Sequence, residues 1–599
     1  MSYHYRFAAA AALLILINSN SSSATEPVIV TATRTAETAD STLAPVTVIT
    51  REDIERSPAL DLRELLVGTP WLEATTNGPY GKTTGFFMRG TNSDQVLTLV
   101  DGVKLYSATL GSTAFQHIPL NQIERIEIVR GPRSALYGAE AIGGVIQIFT
   151  RRGQEQTVGN ARVGGGSNST AELDGGISGA LGAGTYSVQA SAIDTDGINV
   201  TDFQPDRDGY DNQSLSASVG YSVGETGEIR VQLLRAEGDT AFDNPFDPPD
   251  AVHDSDFVQQ VTSARLDLNP TAAWFTRVQI GNSRDESKNF TDGAFFSKFD
   301  TGRDEISWQN DIQVGAAHLL TLGLDYSDDR VGGSTEYDVD SRDNLGVFGQ
   351  WQGDFGRNRL IAALRNDDNE QFGTQTTGSV DYGFNFNERL RVTVGTGTGF
   401  KAPSFNQLFF PDFGNPALKP EESTSVEVGL AGSSGETGRW ALRLFDTEID
   451  DLIVTDLDTF RPKNIDKADI VGLEAEYGSR AGQWDWSAAL TLLDPEDRAT
   501  GKVLRRRSRE TLRVDAGRPF GNWRVNLSAL AQGKRYEDAA NTIELDGYAL
   551  VDANLIYAFT TQWDLGLYAQ NLFDEDYQTA DGFNQKGRTA MLRLRYRTN

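Results

Sequence analysis

From about residue 153 to the C-terminus, apolar and polar side chains alternate with a period of two. Trp523, Val525, Leu527 and Ala529 alternate with Arg524, Asn526 and Ser528; Trp563, Leu565, Leu567 and Ala569 alternate with Asp564, Gly566, Tyr568 and Gln570. Successive side chains of a strand point to opposite faces, so each segment offers one apolar and one wet face. A soluble sandwich also alternates. The last segment, however, sets Arg593, Arg595 and Arg597 on one face and Leu592, Leu594 and Tyr596 on the other, which suits a water-filled lumen inside and lipid outside. Short turns such as 384–388 and long acidic, Gly/Asn/Pro-rich stretches such as 239–256 separate the strands. At about 20 residues per strand and connection, the segment holds on the order of 22 strands of an antiparallel transmembrane β-barrel, a membrane all-β fold. A lumen that wide needs a plug.

Residues 25–152 have a different texture. Apolar runs such as Val96-Leu97-Thr98-Leu99-Val100 and Ile126-Glu127-Ile128-Val129 end in turn residues, and between them Arg51–Arg56 and the spacing of Leu62, Leu65 and Leu66 predict helix. This is a small mixed α/β domain of the right size to fill the barrel. Ahead of it, the apolar run 8–17 behind Arg6 is shorter than the roughly 20 residues a membrane helix needs. With Ser22 and Ala24 as small residues at a cleavage point, it reads as a signal peptide over 1–24. The predicted division is therefore signal peptide 1–24, an extended segment and linker 25–34, plug 35–152 and barrel 153–599.

Composition narrows the chemistry. The 599 residues carry 54 Lys+Arg against 84 Asp+Glu, a formal net charge of −30, and no Cys. That excludes disulfides, cysteine-ligated zinc and a cysteine nucleophile, and argues against nucleic-acid binding, which needs a basic footprint. Only His4, His117, His253 and His318 are available for histidine chemistry, and no nucleophile–His–acid constellation emerges: the chain is not read as an enzyme. Gly81-Lys82-Thr83 imitates the end of a phosphate loop, but Thr76 stands where that motif needs Gly.

Several segments resemble one family, the TonB-dependent outer-membrane receptors. Glu26-Pro27-Val28-Ile29-Val30-Thr31-Ala32 resembles its coupling box. Arg89-Gly90-Thr91-Asn92, the stretch Leu99 to Val103, the stretch Ile123 to Pro132, and Tyr137 to Gly144 look like its plug. Gly399 to Pro403, Gly414 to Pro416, and Gln570 to Asp574 look like its barrel. Within the family, the compact barrel, Arg365 to Asn369, Leu504-Arg505-Arg506 and Gly533 to Tyr536 are most similar to the cobalamin (vitamin B12) receptors. The resemblance implies the outer membrane of a Gram-negative bacterium, a monomeric barrel among lipids, and the periplasmic C-terminal domain of TonB as partner.

The residues support parts of this unaided. Val28, Ile29 and Val30 favour extended backbone and Pro27 discourages helix, so the coupling box can add a strand to a partner's sheet edge; it would serve equally as the first strand of the plug. Arg89, Arg125, Arg130 and Arg133 are expected to pair with lumen-facing Asp and Glu. Gln204, Asp206 and Asp208 lie close together, with Asp243 and Asp254 in the next long loop. Carboxylates converging this way repel unless a hard cation neutralises them, and Ca²⁺ accepts six to eight oxygens flexibly; ordinary solvated acidic loops are the plainer alternative. The resemblance adds the Phe242 carbonyl and Asp194 or Asp196 to this calcium set. It also implies substrate contacts at Thr83, Gly85 and Asn92 in one plug loop, at Leu110 and Gly111 in another, and at Asn244, Thr301, Gly501 and Tyr536 on the barrel. Gly85 stands where the family pattern has a hydroxyl, which Thr84 could replace. The expected function is active import of cobalamin. A ferric siderophore or other metal chelate is the alternative ligand, and a passive porin or adhesin the alternative class.

Overall fold

The computed structural model describes residues 29–598 except 39–40, 68, 70, 436 and 457–458. The signal-peptide segment and Glu26, Pro27 and Val28 of the coupling box lie outside the described residues.

Twenty-two antiparallel strands close into a barrel, sealed by Val158–Gly166 pairing with Thr589–Arg597; a two-residue spur, Lys502–Val503, rides on the strand Trp484–Asp497. At one end the connections are as short as 182–183, 356–357 and 521–522, with Gly182 and Gly521 in the left-handed region that such tight reversals require. At the other end lie 199–207, 242–252, 402–420 and 571–588. The strands on either side of the 239–256 stretch run well into it, as far as Ala241 and from His253 onward.

Alternation translates into two environments. Leu215, Val219 and Val231 on the outer face are exposed, whereas Ser216, Ser218 and Gln232 on the inner face are buried against the plug. An apolar band facing outward and a polar lumen is how a strand barrel sits in lipid, with every backbone group paired around the ring. Trp274, Trp486, Trp523 and Trp563 are exposed near the short-turn end, forming an aromatic girdle where hydrocarbon meets headgroups. No helix among the described residues is long and apolar enough to cross a membrane; the strands do the crossing.

The plug fills the lumen. Its sheet runs in the order Val46–Thr50, Ile123–Arg130, Gly144–Thr150, Val96–Val100, Val103–Lys104, with one parallel pairing, between Gly144–Thr150 and Val96–Val100. The predicted helices form as Arg51–Arg56 and Leu62–Val67, the first opened by a capping box from Thr50 and Asp53. Ile54, Leu62, Leu66, Phe86, Phe115, Ile126 and Ile148 make its core, where Phe86 meets Phe115 edge-on at 4.9 Å.

Charge pairs join apolar clusters, such as Ile142 with Ile449 and Ile470, in holding plug to wall. Arg89 bonds Glu474 at 2.7 Å and Glu427 at 2.6 Å, and Arg130 reaches Glu474 at 3.1 Å and Glu476 at 2.9 Å; Arg133 lies 3.5 Å from Asp381. Arg125 departs from expectation: it pairs with Glu127 of the plug itself and stacks over Phe149, because its own strand places a carboxylate two residues on, on the same face. Glycine makes the close approach possible at Gly399, where an added Cβ would lie 2.9 Å from the plug's Ile142.

Candidate functional site

Three regions of the lumen carry the candidate chemistry: the acidic rim, the plug apices and the coupling segment.

At the rim, Asp208 opens the strand Asp208–Val223 and Asp243 follows the strand Gly227–Ala241. Burial pushes the Asp243 carboxyl above the usual range, with the neighbouring Asp206 adding to the rise. Asp208 Oδ2 accepts from the Val200 amide at 2.9 Å, and Asp243 Oδ2 from the Thr201 hydroxyl at 2.6 Å. Gln204 is buried: its Oε1 accepts from the Asn244 amide at 2.7 Å, and its Nε2 donates to the carbonyls of Pro248 and Ala251. Gln204 thus stitches loop 199–207 to loop 242–252. Asp206 is exposed; Asp254 pairs across the ladder with Ala241. Asp194 and Asp196 line a separate rim cavity of about 370 Å³ together with Asp211 and Asp239. Among the described residues, no three His, Asp or Glu side chains stand close enough together to hold an ion. The carboxyls converge in pairs, and Phe242 rests against His253. Neighbouring carboxylates repel unless a proton or a cation neutralises them, so oxygen donors of this kind suit a hard cation, while the full ligand shell is not assembled.

The plug apices are contiguous. An added Cβ at Gly85 would meet Ser93 at 3.2 Å, and one at Gly111 would meet Asp94 at 3.4 Å. Thr83 is exposed and Leu110 is 61% exposed at its loop tip. Thr84 cannot stand in for the hydroxyl missing at Gly85: it is buried and bonds Thr76 Oγ1 and the Lys82 carbonyl, both at 3.0 Å. Ser93 instead packs over Gly85 and accepts from the Phe86 amide.

The barrel candidates divide. Asn92 is gripped by Arg507, whose guanidinium also bonds the Gly90 carbonyl and lies over Phe87; the next residue back, Arg506, donates its amide to the Tyr536 carbonyl. Asn92 and Tyr536 therefore flank one arginine loop, 505–507. Sequence reasoning used Arg505 and Arg506 only as a family signature and passed over Arg507. Thr301 is 1% exposed beneath Thr109 and supports the plug loop from below. Asn244 bonds Asp247 within its own loop at 2.6 Å. Gly501 occupies an open turn, φ +65°, with nothing within 4 Å of an added Cβ.

The described part of the coupling box is stowed inside the lumen. Val30 and Ala32 are fully buried. Ile29–Val30 pairs with Glu37–Thr38 as a short hairpin, the strand pairing expected of this segment being met within its own chain. Thr31 donates its amide to Glu127 at 2.7 Å and accepts from the Tyr137 hydroxyl at 2.8 Å. Arg34 makes a bidentate pair with Asp325 at 3.1 and 2.9 Å, and its guanidinium lies over the rings of Tyr137 and Phe348. Asp325 also takes Arg365 at 2.6 Å, which in turn reaches the Leu136 carbonyl. Segment, plug and wall are thus joined through one carboxylate. Since the chain contains no Cys, a spin label at A36C, an exposed position of the same segment, reports on this segment alone. Asp325→Asn should convert its immobile spectrum to a largely mobile one, because the two guanidiniums lose their shared charge; an unchanged spectrum would assign the stowage to the hydrogen bonds of Thr31 instead.

Comparison with known proteins agrees with this architecture. Residues 152–572 match the family model described as TonB dependent receptor-like, beta-barrel, and residues 38–145 match the TonB-dependent Receptor Plug Domain. The chain is 33% identical over 588 residues to the vitamin B12 transporter BtuB of Photobacterium profundum, and 32% identical over 595 residues to that of Vibrio vulnificus, with 95% of each chain covered in both cases. In fold it is similar to the ferric enterobactin receptor PfeA of Pseudomonas aeruginosa (TM-score 0.80, 19% identity, 93% of this chain and 98% of that one). The siderophore receptor PirA of Acinetobacter baumannii is as close (TM-score 0.81, 19% identity, 92% and 98%). A plugged 22-stranded barrel, a stowed N-terminal segment and these full-length matches establish one conclusion: this chain belongs to the TonB-dependent receptors of the Gram-negative outer membrane.

Proposed function

We propose that this chain imports cobalamin across the outer membrane, capturing it on the plug apices and long loops and using the segment 26–32 as the grip for TonB. The observation that carries the ligand is the match to vitamin B12 transporters along 95% of both chains; the siderophore receptors share the fold at 19% identity, which speaks to architecture alone. A filled lumen is at odds with a passive porin. Thr83, Asn92, Leu110 and Gly111 offer the ligand hydroxyl, amide, apolar and backbone contacts, and the 505–507 loop holds Asn92 in place. Calcium belongs to the proposal as the cation for the carboxyls of Asp208 and Asp243, with Gln204, Asp206, Asp254, Asp194 and the Phe242 carbonyl as the surrounding oxygens. A bound cation would order loops 199–207 and 242–252 before the ligand arrives and so reduce the entropy lost on binding.

Titrating cyanocobalamin calorimetrically into detergent-purified protein, with calcium and then with chelator, tests both parts. Tight binding that weakens by tenfold or more on chelation is the expected result. Binding indifferent to calcium removes the ion from the proposal. No binding in either condition overturns the cobalamin reading and leaves a receptor for another chelate.

A further inference from the structure

Arg518 stands on the lipid-facing side of the wall. The strands Trp484–Asp497, Glu510–Phe520 and Trp523–Gln532 are neighbours in the barrel. Their register sets Trp486 opposite Ala516, Arg518 opposite Val525 and Phe520 opposite Trp523. Side chains paired in this way share a face, and along one strand every second residue returns to it. The face of Arg518 is therefore that of Leu512, Phe520 and Trp523, which are 44%, 43% and 45% exposed. Short turns of such barrels point to the periplasm, so this part of the aromatic girdle lies level with the phosphates of the inner leaflet.

The guanidinium is held in place but not neutralised. Its carbon lies 4.2 Å from the centroid of the Phe520 ring and 5.6 Å from that of Trp484, and such contacts fix a cation over aromatic faces. Its Nε is buried without a hydrogen-bond partner, and among the described residues no carboxylate forms an ion pair with Arg518. The carboxylates of the neighbouring strand positions point into the lumen and are engaged there: Asp485 takes Arg480 at 2.7 Å and Arg524 at 3.3 Å, and Asp515 takes Arg513 at 2.7 Å.

We propose that Arg518 is a binding site for the phosphate of an anionic phospholipid of the inner leaflet, with phosphatidylglycerol preferred to phosphatidylethanolamine. A cation at the boundary of hydrocarbon and water, without a counter-ion from its own chain, takes one from the headgroup layer. The planar fork of a guanidinium matches two phosphate oxygens at once, and the rings of Phe520 and Trp484 hold it so that little side-chain freedom is lost on binding. The preference between headgroups follows from what surrounds the site. An ethanolamine ammonium needs an acceptor beside the phosphate, and the flanking Trp484, Trp486, Phe520, Trp523 and Val525 provide no carboxylate; a glycerol headgroup brings no second cation to the guanidinium.

The test is native mass spectrometry of the full-length protein in detergent, incubated with equal amounts of phosphatidylglycerol and phosphatidylethanolamine of matched acyl chains. Wild type should retain phosphatidylglycerol over phosphatidylethanolamine by about fivefold. Arg518→Leu should bring the ratio close to unity, and Arg518→Lys should keep part of the preference. Arg524→Leu, which removes an arginine from the lumen side of the adjacent strand, should leave the ratio at the wild-type value. Equal retention of the two lipids by wild type overturns the proposal without relying on any variant. A ratio unchanged in Arg518→Leu overturns it as well, and a ratio lowered equally in Arg518→Leu and Arg524→Leu assigns the preference to the overall charge of this rim and removes the site.

Discussion

Deleting residues 26–32 should reduce cobalamin uptake in cells to the level of a strain without the receptor, while purified protein binds cyanocobalamin within about a factor of two of wild type. The reason lies in where energy is available. The outer membrane holds no nucleotide triphosphate and no sustained ion gradient, and the lumen is packed with a plug whose polar contacts must be broken to let a bulky ligand through. Work has to arrive from outside the barrel, and an extended segment adding itself to a partner's sheet edge can bear tension through a row of main-chain hydrogen bonds. Val30, Thr31 and Ala32 are stowed against Glu127, Tyr137 and the wall, so a partner gains access only when those bonds and the Arg34–Asp325 pair give way. The proposed ligand contacts, Thr83, Asn92 and Leu110, lie in other segments of the plug, and the deletion leaves them untouched. Radiolabelled uptake beside equilibrium binding separates the two functions. Retained uptake in the deletion strain would sink active transport by this route.

How much of this was legible in the sequence differs by kind of interaction. The barrel was, because alternation with a period of two is enforced along every strand by lipid on one side and water on the other; Trp523 to Ala529 and Arg593 to Arg597 announce their faces without a partner in view. The plug helices followed from local capping and spacing. Contacts between plug and wall were only half legible. A buried domain rich in arginine has to find carboxylates, and Arg89, Arg130 and Arg133 do so across more than two hundred residues of chain. Arg125 alone could have been told apart locally, since Glu127 stands two residues on, on the same face of a strand. Lys82 was legible as a residue and not in its contacts, since three of its four acceptors, on Asp208, Gly209 and Thr240, lie far along the chain. The fate of Thr84 was equally hidden: which side of a hairpin faces the ligand is decided by register, here Thr76 opposite Thr84. Thr301 shows the same limit: it faces the lumen, but whether a lumen-facing side chain meets ligand or plug depends on the docked plug, here Thr109.

Glu474→Ala should be the most damaging single substitution in the wall. Glu474 is fully buried and takes Arg89 with two hydrogen bonds, at 2.7 and 2.9 Å, while Arg130 reaches it at 3.1 Å. Breaking a buried pair costs far more than the pair contributes, because a charge is left without a partner; the expected loss is about 3–5 kcal/mol. Arg89 keeps Glu427 and Arg130 keeps Glu476, which places the loss toward the lower end of that range. The cost falls on docking of the plug and not on closure of the barrel, whose ladder hydrogen bonds are untouched. Hydrogen exchange should therefore quicken by two to three orders of magnitude, the same free energy in kinetic form, in the strands Thr84–Met88 and Ile123–Arg130, with the barrel strands unchanged. A double variant, Arg89→Met with Glu474→Leu, removes one charge of each sign and should recover a large part of the protection, since replacing a buried pair by apolar groups of similar volume is often neutral. Equal exchange in wild type and Glu474→Ala would mean that Glu427 and Glu476 alone suffice to hold Arg89 and Arg130.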